Sequence, residues 1–177
     1  MTRSLFRNIS NHVSEPDKIV STLNEAMADN NETSMFVTLF LGVLDLQTGM
    51  LQYCNAGHDS PLLIGSEIQP LPCDSNLPIG VITDWNYTCQ EIRLEPQDSI
   101  FLYTDGLNEA EDIMHAQFGE SRIISVISSL RTEQKDQPET IITKMSEAVH
   151  RFVGEAEHSD DLTMLAIKYK KVHGRQG

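Results

Sequence analysis

Apolar positions recur at helical spacing near the N-terminus, run or alternate as strands through the middle of the chain, and return to helical spacing in its last third. Leu5, Phe6, Ile9 and Val13 mark one helical face, but no capping residue opens that run, which reads as a helix entered partway along. A second helix starts at Ser14-Glu15-Pro16-Asp17, where Ser14 can cap, Pro16 suits the first turn and the acidic residues favour the positive end of the dipole. Ile19, Val20, Leu23 and Met27 form its buried stripe, and "DNNE" ends it. The continuous run "MFVTLFLGVLDL" then predicts a central strand, turned by "QTG" into "MLQYCNAG" as a hairpin. "SPLLIG", "SEIQPL", "NYTCQEIRL" and "DSIFLYT" follow as further strands between Gly, Pro, Asn and Asp punctuation. Beyond Asp105 the helical period returns at Ile123, Ile124, Ile127 and Leu130. It recurs at Ile141, Met145, Val149 and Phe152, behind Pro138. "LTMLAIKYK" closes the pattern as a last strand.

Helices, a strand meander, two helices and a final strand predict an α+β fold, with antiparallel sheet and helices on the outer faces. The arrangement does not argue for a doubly wound nucleotide fold, since no Gly-rich loop follows a strand and opens a helix. The 177 residues, 40% apolar and 22% charged, suit one domain with a real core. Residues 1–171 are expected to be that domain and 172–177 a flexible tail. No apolar run is long enough for a membrane span, and the N-terminus lacks the pattern of a signal peptide, so a cytoplasmic protein is expected.

Charge narrows the function classes. Thirteen basic against 26 acidic residues leave a net charge of -13, which repels phosphate backbones and argues against nucleic-acid binding. An enzyme of this charge that handles phosphate needs bound cations to bring its substrate in. Cys54, Cys73 and Cys89 are odd in number, widely spaced and without a CxxC pair, so buried free thiols fit better than a disulfide or a zinc site.

Candidate chemistry gathers in "LYTDGLNEAED" and "EHSDDLTMLAIKY". Asp105 ends an apolar strand and Asp160 precedes another, and carboxylate oxygens are hard ligands for Mg²⁺ or Mn²⁺. If those strands are neighbours, both carboxylates enter one cleft. The competing reading, stronger on pattern alone, makes Asp105-Gly106 a turn and Asp160-Asp161 a solvated rim. His58 in "NAGHDSP" is either a turn histidine or a general acid or phosphate contact. His158, among acidic residues, reads as a surface histidine rather than a ligand. No G-x-S-x-G pattern and no Cys in an electropositive setting offers a nucleophile.

"FVTLFLGVLDLQTGMLQYCNAGHDSPLLI", "LPIGV", "DSIFLYTDGLNEAED" and "SDDLTMLAIKY", in that order, resemble the PPM-type metal-dependent serine/threonine phosphatases of the SpoIIE/RsbU-like branch, from about Thr2 to Tyr169. The resemblance implies an αββα sandwich. It also implies a centre in which two Mn²⁺ or Mg²⁺ ions hold a water that attacks phosphorus in line. Asp105 and Asp160 match metal ligands and are the expected catalytic residues, while Asp161 matches a supporting position. Gly106 and His58, the latter in the Asn55-Ala56-Gly57-His58 turn, are the expected substrate contacts. The family's upstream Gly-Asp strand motif is not in this sequence, so the chain is expected to be a C-terminal portion of a longer phosphatase, impaired by itself, with a sensor domain upstream. The implied substrate is a phosphorylated regulatory protein of the anti-anti-sigma-factor type. A truncated phosphatase acting as a non-catalytic interaction module is the alternative. Strand edge and apolar surface left open by the missing segment are expected to favour a homodimer.

Overall fold

The computed structural model describes residues 6–7, 9–10, 13–28, 35–74, 76–156 and 161–171. Among these, the helices are α1 (Pro16–Ala28), α2 (Asp105–Asn108), α3 (Gly119–Thr132) and α4 (Pro138–Val153). The strands are β1 (Leu39–Leu44), β2 (Met50–Ala56), β3 (Leu62–Ile64), β4 (Ile68–Pro70), β5 (Gln90–Arg93), β6 (Ser99–Tyr103) and β7 (Met164–Lys168). Every strand pairing is antiparallel, and the α+β fold expected from the order of elements is the one observed. The chain divides into two compact units, Met1–His58 with Pro72–Leu94 and Lys171–Gly177, and Asp59–Leu71 with Glu95–Lys170.

The first unit holds a three-stranded sheet in the order β1-β2-β5. Helix α1 packs on β1 and β2, and Ile19, Val20 and Leu23 form a core with Cys54, Ala56, Ile79 and Tyr87. Phe6, Ile9 and Val13, spaced as one helical face, pack against the same core; Leu5 lies outside the described residues, as does the "DNNE" stop. Ser14 does not cap α1. Its hydroxyl bonds the Glu15 carboxylate, and the Glu15 carbonyl accepts the first helical N–H, from Ile19 at 3.1 Å. The β1–β2 turn is held by Asp45, whose Oδ1 accepts the N–H groups of Gln47 (2.8 Å) and Thr48 (3.2 Å). Those bonds hold the Asp45 carboxyl below its ordinary pKa.

Strand β1, expected to be central, is an edge strand among the described residues. It has β2 on one side only among the described residues, and Gly42 and Val43 are exposed. Its apolar run reflects packing of Val37, Leu39 and Leu41 on the α1 core, a demand that edge and central strands share.

The second unit holds the sheet β4-β3-β6-β7. Strand β6 is buried along nearly its whole length, between β3 and β7. Ile123, Ile127 and Leu130 of α3 and Ile141, Met145, Val149 and Val153 of α4 close its core over Phe101, Tyr103 and Leu107. Val153 takes a buried place in that stripe, and Phe152 packs edge-on against Phe118 at 5.4 Å with the Arg122 guanidinium over its ring. Residues 172–177, the expected tail, lie outside the described residues.

One buried polar side chain ties the first unit together. Asn24 is 0% exposed, donates through Nδ2 to the carbonyls of Ile82 (2.8 Å) and Thr83 (2.9 Å), and accepts the Gly80 N–H at 2.8 Å. Asn24→Leu keeps the volume but orphans backbone groups, so it should lower the unfolding free energy by about 2–4 kcal/mol in urea denaturation. A variant as stable as the parent would show that this loop is held by other means.

Candidate functional site

Buried strand β6 runs out of the core at Tyr103, and Thr104 turns the chain into α2, a single helical turn that Asp105 opens. Thr104 occupies the N-cap in extended conformation but makes no side-chain cap bond. Its hydroxyl is spent elsewhere: it accepts the Thr163 N–H at 3.2 Å and donates to the Asp161 carbonyl at 3.3 Å. The Thr104 N–H also donates to the Thr163 carbonyl at 3.1 Å. These bonds extend the β6–β7 pairing, in which Tyr103 opposes Met164, by one clasp. The segment that leads into β7 is thereby held beside the residue preceding Asp105.

Asp105 is exposed, and its Oδ1 accepts the Gly106 N–H at 3.0 Å. Among the described residues Oδ2 has no hydrogen-bond or ion-pair partner. A fixed, solvent-facing carboxylate with one oxygen to spare fits a hard divalent cation as a ligand. Asp105-Gly106 is therefore not a hairpin turn; both residues are helical, and Gly106 is buried with its N–H turned to Asp105. No group of three or more His, Cys, Asp or Glu side chains able to hold a metal occurs among the described residues. Asp160 and His158 lie outside them. Asp161 is described, exposed, and joined through its carbonyl to Thr104.

The Asn55–His58 turn belongs to the first unit, whereas Asp105 belongs to the second. Asn55 is buried and closes the turn on itself: Nδ2 donates to the His58 carbonyl at 2.8 Å, and Oδ1 accepts the His58 N–H at 2.9 Å. Gly57 has φ +74° and lies against Pro78 of the "LPIG" stretch, whose next residue, Ile79, exchanges backbone hydrogen bonds of 3.0 Å with Val37. Two short sequence patterns far apart in the chain are thus one packing unit, and both Asn55 and Gly57 have structural work there.

A feature that the sequence pattern did not single out follows α2. The Asp112 carboxylate accepts the N–H groups of Met114 (2.8 Å) and Ala116 (3.0 Å), and Phe118 donates to the Ala110 carbonyl at 2.8 Å, so the loop is locked onto buried Ala110 and Phe118. At its tip Ile113 and Met114 are 78% and 84% exposed. An adjacent apolar pair inside an acidic loop was the available signal; only the locked backbone shows that they stay outside the core.

Comparisons with known proteins give the family and support the fold. Residues 1–170 match the family described as Stage II sporulation protein E (SpoIIE). Protein IcfG of Synechocystis sp. (strain ATCC 27184 / PCC 6803 / Kazusa) is 30% identical over 143 residues, 78% of this chain and 22% of that protein. Phosphoserine phosphatase RsbU of Bacillus subtilis (strain 168) is 29% identical over 97 residues, 53% of this chain and 29% of that protein. The chain thus spans less than a third of the length of these curated relatives. Among solved structures, the PP2C phosphatase domain with a fragment of the regulatory domain of SpoIIE from Bacillus subtilis superposes with a TM-score of 0.78. It is 21% identical, over 94% of this chain and 48% of that one.

Gly57→Ala tests the turn. An added Cβ would lie 2.6 Å from Pro78 Cγ and 2.9 Å from its backbone nitrogen, at a φ that L-residues resist. A loss of about 2–4 kcal/mol is expected in chemical denaturation. A change within about 0.5 kcal/mol, the range of neutral surface substitutions, would mean the contact relaxes.

Proposed function

The chain belongs to the SpoIIE family of PP2C-type, metal-dependent serine/threonine phosphatases, and we propose that it removes phosphate from serine or threonine of a protein partner. The observation that carries this reading is Asp105, a strand-end carboxylate with an unengaged oxygen, clasped through Thr104 to the segment entering β7. Asp105 and Asp160 are the proposed metal ligands, with Asp161 in support. Mn²⁺ or Mg²⁺, when bound, supplies positive charge that stabilises the attacking and leaving oxygens of phosphoryl transfer. The protein's own contribution is to orient the groups it holds: Gly106 N–H orients Asp105, and the Thr104 hydroxyl holds the Asp161 backbone.

Hard cations also answer the electrostatic problem of the chain, since a net charge of -13 repels a phosphorylated partner. A protein substrate is supported by Ile113 and Met114, whose exposed side chains another protein can cover and a small phosphate ester cannot. The proposed partner is a phosphorylated regulator of the anti-anti-sigma-factor type in bacterial signalling. That choice rests on the family resemblance and on the relative named as a phosphoserine phosphatase. The comparisons do not favour a non-catalytic module. No helix among the described residues is long and apolar enough to cross a membrane.

The test is hydrolysis of a phosphoserine peptide and of p-nitrophenyl phosphate, with and without Mn²⁺, by the longest form of the protein that contains this chain. Turnover should require the metal, and Asp105→Asn and Asp160→Asn should each lower kcat by about a hundredfold or more, roughly 2.7 kcal/mol. Metal-independent turnover, or parental rates in both variants, would refute the assignment.

A further inference from the structure

The cysteines are not all buried, as their scattered spacing suggested: Cys54 is buried, Cys73 is half-buried and Cys89 is exposed. Their placement follows from the sheet register. Strands β2 and β5 pair with Met50 opposite Arg93 and Tyr53 opposite Gln90. In the same register Gly49 opposes Leu94, and the Leu94 N–H donates to the Gly49 carbonyl at 2.8 Å. Opposed residues in an antiparallel ladder alternate between hydrogen-bonded and non-hydrogen-bonded pairs. Counting from Gly49–Leu94, Tyr53–Gln90, the last pair of the ladder, is hydrogen-bonded; continued by one residue, the register sets Cys54 opposite Cys89 at a non-hydrogen-bonded position.

Non-hydrogen-bonded pairs bring Cα atoms to about 4.5 Å and their side chains closest together on one face. That spacing lies within the roughly 4.4–6.8 Å that a disulfide spans. Cys54 faces the α1 core. Cys73 approaches the opposite face: the Tyr53 hydroxyl donates to the Pro72 carbonyl, and the Asp74 N–H donates to Gln90 Oε1 at 2.6 Å. Tyr53 and Gln90 each neighbour one of the paired cysteines, so their side chains point the other way.

From this geometry we propose that Cys54 and Cys89 form an oxidant-sensitive site, at which a small peroxide converts the two thiols into a cross-strand disulfide. The exposed Cys89 sulfur, as thiolate, attacks one peroxide oxygen; the O–O bond breaks, and water or an alcohol leaves, so that Cys89 becomes a sulfenic acid. The Cys54 sulfur then attacks the Cys89 sulfur, the S–O bond breaks, and the hydroxyl leaves with the Cys54 proton as water. Two electrons pass from the thiol pair to one peroxide. The bond would staple β2 to β5 one residue before Asn55, which closes the His58 turn. Burial pushes the Cys54 thiol up to about 12 and raises that of Cys89, so both are protonated at neutral pH and the site responds to sustained rather than brief exposure.

The 177-residue chain is treated with hydrogen peroxide at two pH values one unit apart, quenched with a maleimide, and analysed by intact mass and peptide mapping. The expected product is about 2 Da lighter before alkylation, carries one maleimide on Cys73 and a Cys54–Cys89 linked peptide, and reverts with dithiothreitol. It should form faster at the higher pH, approaching tenfold per unit where thiolate supply is limiting. Cys89→Ser, at an exposed position, should abolish the link, and Cys73→Ser should leave it unchanged. A Cys73–Cys89 link, a bond between two chains, three alkylated thiols after full exposure, or a rate that does not change with pH would overturn the proposal.

Discussion

The antiparallel pairing of β6 with β7 is the constraint on which the candidate centre depends. Asp105 and the Asp160–Asp161 pair are far apart in the chain, and nothing local brings them together. Tyr103 opposite Met164 sets the end of β6 against the beginning of β7, which brings the described Asp161 backbone to Thr104, the residue before Asp105. Thr104 then carries the pairing past the last ladder pair, using a hydroxyl that would ordinarily cap the helix it precedes. A one-residue slip would turn Met164 and Ala166 away from the core they pack against and put the exposed Leu165 and Ile167 in their place. With apolar residues on both faces of β7, the Thr104 bonds and the Lys168–Asp136 ion pair are the contacts that distinguish this register.

Much of this was legible in the residues. The stripes Ile123-Ile127-Leu130 and Ile141-Met145-Val149 are the buried faces of α3 and α4, because a period of 3.6 maps directly onto one helix side. The succession of strands along the chain was readable from turn punctuation, and the β1–β2 hairpin from the polar turn that Asp45 closes; their order within the two sheets was not. Less legible were facts set by neighbours rather than by local pattern. Continuous apolarity could not show that β1 is an edge among the described residues. Nor could it show that Ser14 bonds Glu15 instead of capping α1, or that the turn at Asp105-Gly106 is the start of a short helix. The cysteines are free thiols as expected, but spacing in sequence could not show that only Cys54 is buried.

The family was legible in a different sense. Pattern alone preferred a turn and a solvated rim; the order of several short motifs pointed to the phosphatase family, and the match over residues 1–170 shows that membership. The structure adds physical reasons for some of those motifs. Gly57 is required where Pro78 crosses, Asn55 closes the turn, and Thr104 ties the metal-ligand candidate to β7. Asp105 differs from these in having a carboxylate oxygen that the described fold leaves unused, which is what a ligand-binding role calls for.

The central claim is that Asp105 and Asp160 serve one divalent-metal centre. Mn²⁺ binding followed by electron paramagnetic resonance, on the parent, Asp105→Asn, Asp160→Asn and the double variant, tests it without reference to turnover. A shared centre predicts that each single change weakens binding at least about tenfold, and that the double change costs clearly less than the sum of the two, since the first has already broken the site. Affinities unchanged by either substitution, or losses that simply add as for independent sites, would contradict it.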